Sequence, residues 1–150
     1  MPLREFSAPW HNDLRRCARV RDGSWQLFTS DLAATAVGAA DERVACELRR
    51  RSGWRRAGGF EQILFLRWST ITAQRVHRAH LEEIYGASRG RPGAAGPGSG
   101  RFLATSDRGR CVVYWDDEAV AVGAVAVTQC PRDGRPTVRT LEAFWESRHR

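Results

Sequence analysis

The positions of apolar residues along the chain predict a helical first half and a stranded second half. A short helix is expected over residues 12–20, after a stretch that mixes Pro2, Pro9 and Trp10 with arginines. Ser30 offers a capping oxygen to a helix over 31–37, whose first acid, Asp31, suits the positive end of the helix dipole. Gly38, Ala39 and Ala40 read as a turn, residues 41–51 as a second helix, and Gly53 as its stop. Over 60–72, Phe60, Leu64, Trp68 and Ile71 share a helical face, yet 63–72 is rich in strand formers. Helix and strand both stay open there, and either way the segment is core. Residues 73–85 read as a helix that turns Val76, His80 or Leu81, and Ile84 inward and its arginines outward.

The pattern then breaks. Residues 86–100 hold six glycines and two prolines among small residues, so 87–100 is expected to be a flexible linker or long loop. Beyond it, 101–105, 110–115 and 119–128 look like strands, separated by Asp107 with Gly109 and by Asp116 with Asp117. Pro131 to Pro136 make a further turn, 137–139 a last short strand and 141–147 a closing helix. The expected fold is α+β. A basic helical part spans 1–86, the linker 87–100, and a small antiparallel meander closed by a C-terminal helix spans 101–150.

Composition narrows the chemistry. The chain has 150 residues, and all 24 of its basic side chains are arginine, against 17 acids, for a net charge of +7. Without lysine there is no phosphate-loop lysine and no Schiff base. Guanidinium binds phosphate in a planar fork and stacks on base faces, so an all-arginine surface leans toward nucleic acid. The charge is uneven: 1–92 carries +6 and 101–150 carries +1. Cys17, Cys46, Cys111 and Cys130 are widely scattered, without the short spacing of a zinc knuckle, and are expected to be free buried thiols in a reducing cytoplasm. No apolar run is long enough to cross a bilayer, and no cofactor is expected.

Two crossing helices need a small residue at the contact, a turn glycine and an apolar residue facing back, and Ala34, Gly38 and Val44 supply these, with Val37 and Leu48 completing the contacts. This spacing resembles the helix-turn-helix of bacterial transcription regulators, winged-helix ones in particular, over about twenty residues. The resemblance implies a DNA-binding protein in which 41–51 is the recognition helix. Arg43, Arg49 and Arg50 would then approach base edges or phosphates, with Arg51, Arg55 and Arg56 on the backbone. It also implies a homodimer reading two half-sites. Asp41, Glu42 and Glu47 depart from the pattern by putting negative charge near phosphates. Arg89-Gly90-Arg91-Pro92 is identical to the core of the AT-hook, in which two arginines lie along an A·T minor groove, although the flanking basic residues of that family are missing.

Other chemistry is sparse. His77, His80 and Glu83 fall at i, i+3 and i+6 on one helix, a spacing that suits metal ligands or an ordinary polar face. Asp116, Asp117 and Glu118 suit a hard cation or a hairpin turn. No nucleophile elbow or dinucleotide loop is present, and neither a catalytic nor a metal site is assigned. The alternative to DNA binding is a protein-binding module of antitoxin-like or immunity-like type. It would use the C-terminal sheet and the acids Asp116, Asp117 and Glu118 against a basic partner.

Overall fold

The computed structural model describes residues 12–20, 39–52, 62–86, 89–90, 100–107, 110–117 and 121–129. They form a seven-stranded sheet with one helix on it. The strands are β1 (Leu14–Arg19), β2 (Glu42–Leu48), β3 (Gln62–Arg67), β4 (Arg89–Gly90), β5 (Gly100–Asp107), β6 (Arg110–Asp117) and β7 (Val122–Gln129), and the helix α1 (Ile71–Tyr85) follows β3. The strand order is β1-β2-β3-β7-β6-β5-β4. Every neighbouring pair is antiparallel. The chain thus runs as one meander, crosses over through α1, and returns as a second meander whose last strand docks beside β3. Strands from 1–86 and from 101–150 therefore share one sheet.

The central strands β3, β6 and β7 are buried on both faces, which is why they read as continuous apolar runs instead of alternating. On one face lie Ile63 and Phe65 of β3 with Val113 and Trp115 of β6 and Val122, Ala124 and Ala126 of β7. On the other, Leu64, Leu66 and Trp68 meet Val112, Tyr114, Val125 and Val127, together with Leu81 of α1. Each large side chain buried here contributes roughly 1.5–3 kcal/mol of transfer free energy. Gly123 is fixed by contact: a Cβ there would lie 3.0 Å from both the Trp115 carbonyl oxygen and the Trp68 ring. The ambiguity over 60–72 resolves as strand over Gln62–Arg67 because both of its faces are covered.

The helical first half is corrected. Residues 41–51, expected as a recognition helix, form β2 and a following turn. Val44, Cys46 and Leu48 point to one face while Arg43, Ala45 and Glu47 point to the other, a period of two. Pairing on both sides, with β1 and β3, overrides the helix-compatible composition. The short helix expected over 12–20 is the edge strand β1. Among the described residues α1 is the one long helix. The first helix of the expected pair (31–37), its hinge Gly38, the strand at 137–139 and the closing helix at 141–147 lie outside the described residues. Of the expected linker, Arg89–Gly90 and Gly100 belong to strands β4 and β5.

Helix α1 starts with a cap: Thr70 Oγ1 accepts the Ala73 N–H at 3.0 Å. It ends at Gly86, whose φ of +104° is a conformation that L side chains rarely adopt. Its inward stripe is not the apolar one expected from the sequence. Gln74, His77, Arg78 and Leu81 face the sheet, while Val76 and Ile84 are 66% and 55% exposed. The polar residues win the inner face because the sheet end beneath them offers hydrogen-bond partners. Gln74 Nε2 donates to the carbonyls of Asp117 (3.0 Å) and Val122 (2.9 Å), where β6 turns toward β7. Among the described residues no helix is long and apolar enough to cross a membrane.

Candidate functional site

Among the described residues, charged side chains gather in two places. The first is buried under α1. Arg78 Nη1 donates to both carboxylate oxygens of Asp116 at 2.9 and 3.1 Å, and Tyr114 Oη donates to Asp116 Oδ2 at 2.7 Å. Asp116 is 2% exposed and Asp117 4%. Burial, then the neighbouring Asp116 charge, pushes the Tyr114 phenol well above its ordinary range. His77 packs against Trp68, with ring centroids 5.4 Å apart, and edge-on to Tyr114 at 5.8 Å. Its Nε2 makes no hydrogen bond. Burial, assisted by His80, lowers its pKa from 6.5 to about 4, so the ring is neutral at pH 7.

This arrangement bears on two of the readings raised by the sequence. Asp116 and Asp117 are not an exposed acidic face for a basic partner, because both are buried and the Asp116 carboxylate is engaged by Arg78 and Tyr114; Glu118 lies outside the described residues. His77, His80 and Glu83 do not converge either, since His77 faces the sheet while His80 and Glu83 are exposed. Among the described residues no cluster of His, Cys, Asp or Glu could hold a metal ion.

The second gathering is at the sheet edge. β1 pairs on one side with β2, and all of its residues after Leu14 are exposed. The register Leu14↔Leu48 places the turn that follows β2 beside the start of β1. Arg49 locks that corner: its N–H donates to the Asp13 carbonyl at 2.7 Å and its Nε to the Leu14 carbonyl at 3.0 Å. The Ser52 N–H then donates to the Arg49 carbonyl at 2.9 Å, closing the turn that exposes Arg50 and Arg51. The β1–β2 register shifts between Arg15 and Ala18, a bulge in which Arg16 takes a φ of +50°. A non-glycine residue in that conformation costs roughly 1–2 kcal/mol, and bulges re-aim side chains.

The arginines at this edge differ in their commitments. Arg15 pairs with Glu47 at 3.3 Å, and Arg67, one strand further in, with Glu42 at 2.7 Å. Arg16, Arg19, Arg50 and Arg51 are exposed and pair with no carboxylate among the described residues. Of the arginines singled out from the sequence, Arg49, Arg50 and Arg51 belong to this corner. Arg43 is half-buried in mid-strand, opposite Leu66, and is not on a helix. Arg89 is in β4 at the opposite edge, six strand spacings or roughly 29 Å away. Arg55, Arg56 and Arg91 lie outside the described residues. Arg16 and Arg19 went unread, since only the strand order shows that they line an edge.

A disulfide joins Cys17 of β1 to Cys46 of β2, with Cα atoms 4.0 Å apart, and Cys111 is disulfide-bonded as well. The expectation of free thiols is therefore corrected: antiparallel pairing brings together two cysteines 29 residues apart in sequence. No protein-family model matches the chain, and no curated protein proves similar to it.

Proposed function

We propose that the protein binds DNA along the arginine-bearing edge formed by β1 and the turn after β2, without a recognition helix. The observation that carries this reading is the set of four exposed guanidiniums, Arg16, Arg19, Arg50 and Arg51, that no carboxylate engages among the described residues. Strand β1 spans roughly 20 Å at 3.3 Å per residue. A duplex presents about one negative charge per 1.7 Å of axis, so the edge faces several phosphates at once. The guanidinium fork matches phosphate in two-point geometry, and the chain's charge of +7 favours encounter with a polyanion. Contacts of this kind position a protein on the backbone and carry no sequence information by themselves. Residues 41–51 form a strand and a turn, so the half-site argument for a homodimer no longer draws on a recognition helix there. The bonded cysteines support an oxidising compartment over the cytoplasm.

Fluorescence anisotropy of a labelled mixed-sequence duplex, under non-reducing conditions, tests the reading. Binding that weakens steeply with salt and that polyglutamate fails to displace is expected. Absence of binding at low salt would refute it, and displacement by polyglutamate as effective as by unlabelled DNA would reassign the edge to an acidic protein partner.

A further inference from the structure

The Cys17–Cys46 disulfide has one accessible end. Cys17 is exposed on the edge strand, whereas Cys46 is 2% exposed and belongs to the apolar core with Ile63 and Phe65. Arg16 and Arg19 flank the accessible end on the same strand, and neither pairs with a carboxylate among the described residues, whereas Arg15 is held by Glu47 on the other face of the sheet. We infer that this disulfide is a thiol-exchange site, attacked at Cys17 and selective for small thiols that carry carboxylates. The inference does not rest on DNA binding.

Exchange proceeds by attack of a thiolate on a disulfide sulfur, so the local thiolate concentration and access to that sulfur set the rate. The guanidiniums concentrate thiolates that carry further carboxylates and give little or no such advantage to one whose own ammonium cancels its charge. In the first step a new S–S bond forms between the incoming sulfur and Cys17 Sγ, the Cys17–Cys46 bond breaks, and its electron pair leaves on Cys46. The buried Cys46 takes up a proton, because an apolar surround disfavours its thiolate. A second thiolate then attacks the incoming sulfur, releasing the small-molecule disulfide and leaving Cys17 as a thiolate. The protein disulfide is reduced, and two small thiols are oxidised to one disulfide. Between the steps, the mixed disulfide sets carboxylates beside Arg16 and Arg19.

The experiment exposes the oxidised protein to glutathione (net anionic), 2-mercaptoethanol (neutral) and cysteamine (cationic), with rates normalised to thiolate concentration and adducts mapped by mass spectrometry after an acid quench. Mapping also separates this bond from the disulfide at Cys111. The expected result is an adduct on Cys17, with glutathione about tenfold faster than cysteamine at low salt and the ratio falling toward one at high salt. The Arg16→Ala/Arg19→Ala variant should keep the disulfide and lose the ordering. An adduct on Cys46, equal rates for the three thiols, or exchange no faster than global unfolding would each overturn the inference.

Discussion

The buried, neutral His77 should destabilise the fold by about 3 kcal/mol as pH falls from 6.5 toward 4. The ring is 4% exposed, it lies against Trp68 and Tyr114, and its Nε2 has no acceptor to stabilise an imidazolium. Its pKa is about 4 in the folded protein against 6.5 for the free side chain. Below pH 6.5 the unfolded chain therefore binds a proton at this position that the folded chain refuses until about pH 4. Stability is unaffected above that window and falls as pH drops through it, by roughly 1.4 kcal/mol per pH unit and about 3 kcal/mol in all. Carboxylates titrate in the lower part of the same window, so a comparison isolates the histidine. Urea unfolding of the wild type and of His77→Phe at pH 7, 6, 5 and 4.5 should show the difference in stability shifting in favour of the variant as pH falls. NMR should place the imidazole midpoint near 4. A difference that stays constant with pH, or a midpoint near 6.5, would refute the reasoning.

Three further outcomes follow from the packing. Gly123→Ala pushes a methyl against the Trp115 carbonyl and the buried Trp68 ring, and should cost about 1–3 kcal/mol by chemical denaturation. Asp116→Ala takes from the buried Arg78 the carboxylate that accepts its Nη1, leaving Glu82 at 3.9 Å from its Nε, and should cost about 3–5 kcal/mol, while adding Arg78→Met should recover part of that loss. Replacing Cys17 and Cys46 by alanine opens a loop of 29 residues and should cost about 3–4 kcal/mol; a melting temperature unchanged from the oxidised wild type would contradict the cross-link.

The second meander was legible because its turns carry their own chemistry. The strand formers around Asp107, Gly109, Asp116 and Asp117 mark elements that the structure places at Gly100–Asp107, Arg110–Asp117 and Val122–Gln129, although Asp107, Asp116 and Asp117, read as turn residues, end β5 and β6 themselves. β2 was not legible, since Val44 and Leu48 satisfy a helical and a stranded period equally and Cys46, the residue that separates the two, is small and undemanding. α1 was visible as a helix but not in its orientation. Periodicity ranks residues by apolarity, whereas Gln74 and Arg78 are drawn inward by Asp116 and by carbonyls more than 35 positions away in sequence. At the candidate site Arg49 and Arg50 stood out as part of a basic run, but the role of Arg49 as the lock of the corner depends on Asp13 and Leu14, which only the fold brings near.

The most direct measurement is the dependence of DNA affinity on salt for the wild type and for Arg16→Ala/Arg19→Ala/Arg50→Ala/Arg51→Ala. Each guanidinium on a phosphate contributes about 0.9 to the slope of log K against log salt, so the fourfold variant should lose roughly 3–4 from that slope while unfolding at an unchanged denaturant concentration. Equal slopes for the two proteins would contradict DNA binding at this edge.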